Sequence, residues 1–315
     1  MVAAWRDACA VRRRLAGGAP ALEHRRVNRV LAASVGLHAA CLATVLAAPR
    51  RWRPALAAVA VNQAVLTGAG LWPRSRLLGP NLTRLPAATP GIVLSFDDGP
   101  DPEVTPRVLD LLDDAGATAS FFCIGQRARA FPALVRDIAR RGHSVENHTD
   151  HHYRHFAALG LPGLRREVRQ AQAVLADLAG RPPRWFRAPM GLRNPLLQTV
   201  LDEAGLGLAS WTRRALDGAR SCHAEAALRR LATGLAAGDV LLLHDGNCAH
   251  DADGVPAVLE ILPPLLQRMR ALGLSGVSLE MALPVHPATG SRSAAAAAPA
   301  DAAAGRSRRG AGASR

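Results

Sequence analysis

Gly91-Ile92-Val93-Leu94-Ser95-Phe96-Asp97-Asp98-Gly99-Pro100 is the stretch that decides the reading of this chain. A short apolar run leads into two adjacent carboxylates and is stopped by Gly-Pro, a turn sequence. Neighbouring carboxylates repel, so a strand that ends on two of them calls for a cation or a shared proton. Downstream, His148-Thr149-Asp150-His151-His152 places the imidazoles of His148 and His152 four residues apart. One carboxylate with two histidines is a metal-ligand set that leaves positions for water, and the second carboxylate is then free to act as a base. The expectation is a metal-dependent hydrolase. The competing reading of Asp97-Asp98 is a plain capping turn.

Around this stretch, strand patterns alternate with helix patterns. Strands are expected at Ile92–Phe96, Ala119–Ile124, Ser144–Asn147, Arg184–Arg187, Leu206–Thr212, Val240–His244 and Gly276–Leu279. Helices are expected at Thr105–Ala115, Pro132–Arg141, Gly163–Leu178, Pro195–Ala204, Ala224–Ala236 and Val255–Ala271. Thr105-Pro106 is a helix start signal, and Gly142, Gly180 and Gly205 are stop signals. Such alternation predicts an α/β fold with a parallel sheet, a seven-stranded (β/α) barrel that is closed or nearly so. Barrel sites lie at the C-terminal ends of the strands. Asp97 and Asp98 end the first strand, and His148 and His152 follow the third. Arg187 ends the fourth, Asp217 follows the fifth, and His244 ends the sixth. Scattered structural polar residues have no reason to converge on one rim.

The flanking segments read differently. Among 315 residues the net charge is +14 and every basic residue is arginine, a pattern that GC-biased coding would also produce. Residues 1–29 are polar and basic. Two charge-free apolar runs, Val30 to Ala48 and Pro54 to Trp72, surround the turn Pro49-Arg50-Arg51-Trp52-Arg53-Pro54. Each run is near the ~20 residues that cross a bilayer as helix. Residues 30–72 are therefore expected to form an Ala-rich membrane hairpin, with two buried helices packed on the barrel as the alternative. Residues 73–87 read as a linker, 88–283 as the barrel and 284–315 as a disordered Ala/Gly/Ser/Arg tail. Aromatics are scarce and the basic residues form no aromatic-laced stripe, which argues against nucleic acid as a partner. Anionic lipid suits the N-terminal arginines better. The five cysteines have no CxxC spacing. Cys222 and Cys248 are a conceivable pair, and Cys123 reads as a buried small hydrophobe.

With these residues assembled, the barrel region resembles the polysaccharide deacetylases, also called the NodB homology domain or carbohydrate esterase family 4. Five motifs carry the resemblance in order: Ser95 to Pro100, His148 to His152, Arg187-Ala188-Pro189-Met190-Gly191, the looser Trp211 to Asp217, and Leu242-Leu243-His244. The resemblance implies that Asp98, His148 and His152 ligate a divalent metal, usually Zn2+. It implies Asp97 as general base, Arg187 as its charge partner, His244 as general acid and Asp217 as the residue that orients His244. The backbone N–H of Met190 would serve the oxyanion, and Leu242 would line the substrate site. The activity implied is removal of an N-acyl group, most often N-acetyl, from an amino sugar of a poly- or oligosaccharide. O-deacetylation of a polysaccharide, deformylation of a lipid-linked sugar and non-catalytic glycan binding at a membrane are the alternatives. The place expected from the apolar runs is the cytoplasmic membrane of a bacterium; the N-terminal arginines argue for a cytoplasmic barrel, whereas the dense basic turn, if cytoplasmic, puts the barrel outside, where glycans usually are, and the outside is the expectation.

Two positions depart from the family pattern. Met190 stands where many members carry an aromatic, and Asp217 is followed by Gly218 rather than Trp. By spacing alone, His151 and His155 remain competitors of His152 as ligands. His143 reads as a packing residue, His250 as a loop residue, and Glu146 as a strand residue of unknown direction.

Overall fold

The computed structural model describes residues 20–86, 89, 91–218 and 222–283, with side chains from residue 30 onward. The tail 284–315 and most of the basic segment 1–29 lie outside the described residues. The described chain opens with α1 (Pro20–Ala47), a 3-10 turn at Pro49–Arg51 and α2 (Trp52–Leu71). Then come β1 (Ile92–Asp97), α3 (Thr105–Asp114), β2 (Ser120–Cys123), α4 (Gly125–Ala130), α5 (Pro132–Arg140) and β3 (Ser144–Asn147). They are followed by α6 (Leu161–Ala179), β4 (Trp185–Phe186), α7 (Leu197–Ala204), β5 (Gly207–Leu208) and β6 (Arg213–Arg214). The last elements are α8 (Ala224–Ala232), β7 (Val240–His244), α9 (Ala257–Ala271), β8 (Gly276–Val277) and α10 (Leu279–Ala282).

The strands form one curled parallel sheet in the order β5-β4-β3-β2-β1-β7-β6, with β8 paired to the start of β1. The expected barrel is thus present, with one difference. The fifth strand, expected over Leu206–Thr212, is cut to Gly207–Leu208, and the chain then crosses to pair Arg213–Arg214 with β7. The sheet edges β5 and β6 do not pair with each other among the described residues, so the barrel stays open there. Residues 82–85 occupy that opening. Leu82 bridges Ala209 on one edge, and Arg84 bridges Asp239 at the foot of β7. The segment expected as a linker is therefore packed against the barrel, with Leu85 only 3% exposed.

Strand periodicity divides the residues of β1 between two environments. Ile92, Leu94 and Phe96 join the core under the helices, where Phe96 stacks on Phe121 at 5.0 Å between ring centroids. Val93 belongs to the core inside the barrel, with Phe122, Trp211 and Leu242. Ser95 and Asp97 share the phase of Val93 and so face inward. β7 runs in register, with Asp97 opposite His244, and its Val240 and Leu242 also join the inner core. The same alternation thus delivers two polar side chains, from adjacent strands, to the inside of the C-terminal rim.

The helix boundaries follow the expected signals with small shifts. α6 ends at Gly180 and α7 at Gly205, both in the left-handed conformation that glycine adopts without strain. Thr105 does not cap α3; its hydroxyl is used elsewhere, and Val104 occupies the cap position. α4 was not expected, because Gly125-Gln126-Arg127-Ala128-Arg129-Ala130 is too short to show a period. α1 and α2 each carry a window long and apolar enough to cross a membrane, Val30–Ala47 at mean hydropathy 2.0 and Pro49–Leu71 at 1.4. The first window has no buried residue and the second is 22% buried.

Candidate functional site

Asp97 ends β1 facing inward, and Asp98 begins the following loop with φ 71, a left-handed conformation that Asp tolerates. That twist lets two consecutive carboxylates reach one cavity. One residue past β3, the loop from His148 coils tightly. Thr149 and His152 also have positive φ, the Thr149 amide donates to Asn147 Oδ1 at 3.0 Å, and the His152 amide donates to Thr149 Oγ1 at 3.0 Å. The coil brings His148 Nε2 and His152 Nε2 each to 3.2 Å from Asp98 Oδ1. His151 turns the other way. Its amide and its Nδ1 meet the Glu167 carboxylate at 2.9 and 3.0 Å. His155 is exposed and stacks on Tyr153. Of the competing histidines, the structure gathers only His148 and His152 around Asp98.

Whether this trio suits a cation can be judged from its lone pairs. His148 Nδ1 lies 2.8 Å from the Arg187 carbonyl oxygen, which can only accept, so Nδ1 carries the proton and Nε2 presents its lone pair. Asp98 Oδ1 is buried and has no hydrogen-bond partner. Three ligand atoms within 4.8 Å of one another thus point electron pairs at a common place. Two imidazole nitrogens and one carboxylate oxygen are the donor set of a divalent metal such as zinc. The residues fit the ion.

The neighbouring charges are ordered. Arg187 is 1% exposed and donates to Asp97 Oδ1 at 2.6 Å, to Ser95 Oγ at 2.9 Å, and to the carbonyls of Ala209 and Ser210. Its guanidinium lies over the Phe122 ring at 3.9 Å from the centroid. Burial lowers the Arg187 pKa, and the Asp97 charge offsets only part of this. Burial would raise Asp98, but His148, His152 and His244 outweigh it and hold the carboxyl below its ordinary range. Burial would also lower His148, but Asp97 and Asp98 raise it on balance. His152 is pushed down to about 4 by burial and by His148. Across the site, Asp217 Oδ1 lies 2.7 Å from His244 Nδ1, and Asp217 Oδ2 accepts the His244 amide at 2.8 Å. Burial lowers His244, but the Asp217 contact dominates and lifts it to about 9. The Asp217 contact thus favours the protonated imidazole.

Met190 occupies a 3-10 turn with φ 56 and is 49% exposed at the rim, while Leu242 is buried in the inner core. Gly218 lies against the His244 ring, where a Cβ would stand 3.6 Å away in ordinary contact. His143 is buried and accepts the Ala119 amide at 3.2 Å. Burial lowers it to about 4. Glu146 accepts the amides of Arg184 and Trp185 at 2.9 and 2.8 Å, which fixes the entry of β4. Cys222 and Cys248 are free thiols, and Cys123 is buried in the outer core.

Several residues at the site were not expected. Asn247 donates to Asp98 Oδ2 at 3.1 Å and is itself held by Arg127 at 2.6 Å. Ser95 shares the Arg187 fork and could have been found from its inward strand phase. Asp245, raised to about 7 mainly by burial, accepts the Thr105 hydroxyl at 2.7 Å and ties α3 to the end of β7. For Asn247 and Asp245 no local pattern gave a signal.

Known proteins resemble this chain in sequence and in fold. The family model described as polysaccharide deacetylase matches residues 85–209. A peptidoglycan-N-acetylglucosamine deacetylase of Bacillus cereus is 32% identical over 176 residues, which cover 55% of this chain and 62% of that protein. A chitooligosaccharide deacetylase of Sinorhizobium fredii is 35% identical over 158 residues, 50% of this chain and 73% of that protein. Among solved structures, a family 4 carbohydrate esterase from Streptomyces lividans in complex with acetate superimposes with TM-score 0.53 at 31% identity, covering 60% of this chain and 93% of the other.

Proposed function

The chain belongs to the polysaccharide deacetylase family, and from that membership we propose that it hydrolyses an N-acetyl group from an amino sugar of a poly- or oligosaccharide. The observation that carries the reading is the convergence of Asp98, His148 and His152 beside an Asp97–Arg187 pair, with the Asp217–His244 pair on the adjoining strand. Two of the relatives named above are a peptidoglycan-N-acetylglucosamine deacetylase and a chitooligosaccharide deacetylase, which supports the substrate class.

Asp98, His148 and His152 would hold a divalent metal, zinc by donor chemistry, which when bound would polarise the acyl carbonyl and acidify water. Asp97 acts as the base. Arg187 donates to Asp97 Oδ1, so Asp97 Oδ2 remains to take a proton from the attacking water. The Met190 N–H, presented by its left-handed turn, donates to the developing oxyanion. His244 arrives from the neighbouring strand and protonates the departing amine. Asp217 holds its Nδ1 and keeps the proton for transfer on Nε2. The products are an amino sugar and acetate.

The hairpin of α1 and α2 anchors the barrel to a bacterial cytoplasmic membrane, with the barrel outside, where glycans usually are; the arginines of residues 1–29 outnumber those of the turn and argue for the opposite orientation, which the reporter below decides. The apolar, exposed faces of both helices support this. The function is tested by amine release from an N-acetylglucosamine oligomer by the detergent-solubilised full chain, before and after chelation and after zinc is restored. Activity that survives complete chelation, or a folded protein with zinc that releases no amine from any acetylated amino sugar, would sink the reading. A reporter fused after residue 283 tests the orientation.

A further inference from the structure

The hairpin joins the barrel at its catalytic rim rather than at its foot. A parallel barrel receives its chain at the N-terminal ends of the strands, the face away from the site. Here the chain leaves α2 on the opposite face and must descend the barrel wall to reach β1. The Gly70 carbonyl accepts the Arg193 amide at 3.0 Å. A Cβ at Gly70 would stand 2.3 Å from the Arg193 carbonyl oxygen, so the two backbones are in direct contact. Arg193 lies three residues beyond Met190, in the loop that follows Arg187. The Pro73 carbonyl then accepts from Ser210 Oγ and from Asn81 Nδ2, each at 2.7 Å, and the Ser75 carbonyl accepts from the Arg193 guanidinium. Leu66 and Ala69 of α2 pack with Leu78. From this rim contact the segment runs down the opening to Leu85, whose amide meets the Gly238 carbonyl at the foot of β7.

Side-chain exposure marks the depth independently. Trp52 opens α2 and Trp72 directly follows it, and they are 51% and 64% exposed. Their separation of twenty residues is about 30 Å of helix, the thickness of a bilayer core. Exposed tryptophans at both ends of an apolar helix mark the two headgroup levels. Leu71, Leu77, Met190 and Leu196 are exposed large apolar side chains that fall within a few residues of the Gly70–Arg193 and Pro73 contacts. Asn62 donates to Ser34 across the two helices, the polar contact by which helices pair in a membrane.

The geometry points to a catalytic mouth that rests at the bilayer interface and to a substrate glycan carried on a membrane lipid. This rests on the deacetylase reading above. Three residues of chain span about 10 Å, so the Met190 turn lies within that distance of Arg193, whose backbone touches the end of α2 where it leaves the membrane. A sugar in the first units of a lipid-borne glycan stands at that height. Polymer held far from the membrane does not reach it. The apolar side chains at the rim immerse among lipid and hold the mouth down.

The full chain in vesicles tests both parts. Lipids brominated at shallow depth should quench the Trp72 fluorescence, read as the difference between wild type and Trp72→Phe. An N-acetylglucosamine oligomer tethered to lipid should be deacetylated about 10²-fold faster than the same free oligomer at equal bulk concentration, because both partners are confined to one surface. The double variant Leu71→Glu, Trp72→Glu should lose most of that advantage and keep the rate on the free oligomer. Shallow lipids that leave Trp72 unquenched, or equal rates on both oligomers in a preparation active on the free one, would overturn the inference. If Trp72 is quenched and neither oligomer is hydrolysed, the deacetylase reading falls and the substrate class with it, while the interfacial placement stands.

Discussion

His244 shows how one contact sets both stability and chemistry. Burial opposes its protonation, yet Asp217 lifts it from 6.5 to about 9. The folded state therefore binds this proton more tightly than the unfolded chain does. The stabilisation is complete below pH 6.5 and is lost as pH rises through about 9. Asp217→Asn should shift the alkaline limb of the rate profile toward acid, seen also in a titration of the His244 ring by NMR; an unmoved limb would assign the limb to another group. Asp97→Asn should lower the catalytic rate by about 10²–10⁴-fold with metal content unchanged, because the proposed mechanism makes Asp97 the base and not a ligand. Asp98→Ala and His148→Ala should instead lose the metal, and elemental analysis separates the two classes. Arg187 is a different case. Its four protein acceptors and its place over Phe122 make the guanidinium part of the interior. Arg187→Met leaves a buried Asp97 without its partner and should cost about 3–5 kcal/mol, measured by denaturant midpoint.

At the scale of elements, the site depends on two strands and two loops that approach one another with little clearance. β1 and β7 supply Asp97 and His244 through matched register and a shared inward phase. The loop after β7 presses on the loop after β1. A Cβ at Gly246 would stand 2.3 Å from the Asp98 carbonyl oxygen, a backbone atom that cannot swing aside. Gly246→Ala should therefore displace Asp98 and reduce metal occupancy while the far-UV circular dichroism stays that of the wild type. Normal occupancy in the variant would mean that the loops are less tightly coupled than their packing implies. The short strand β4 is held at its start by a buried carboxylate: Glu146, raised to about 7 mainly by burial, accepts two amides there.

At the scale of the whole molecule, the open edge of the barrel is closed by chain that precedes it. Leu82, Arg84 and Leu85 contact β5 on one side and the foot of β7 on the other, and Arg84 meets Asp239 at 2.5 Å. A fragment that begins at residue 88 exposes this seam, whereas one that begins at residue 73 keeps it. The longer fragment should melt higher by about 5–10 °C, the scale expected for two or three kcal/mol of buried leucine and paired edge in a domain of this size. Equal melting temperatures would reduce the segment to a passive tether. Gly218 belongs to this scale as well. It leaves the His244 ring 21% exposed on its side chain, so the site opens outward where a larger residue would cover it.

The amino-acid order by itself determined the strand–helix alternation and the placing of Asp97, Asp98, His148, Arg187 and His244 at the C-terminal ends of the strands. These are readable because they rest on local periods and contiguous motifs: alternation along β1, one turn between His148 and His152, and the sequence after Arg187. Tertiary structure alone decided which histidine turns away, since His151 is drawn to Glu167 on α6, sixteen residues on. It decided the division of the fifth strand, because the opening there is filled by residues 82–85, which no pattern within Leu206–Thr212 reveals. It decided the support of the site by Asn247 and Ser95, whose contacts to Asp98 and Arg187 span 149 and 92 residues of sequence. It also decided that the hairpin meets the barrel at the catalytic rim. A hydropathy pattern reports how long a helix is and how apolar. Which end of a barrel that helix touches depends on backbone contacts, Gly70 with Arg193 among them, that exist only once the chain is folded.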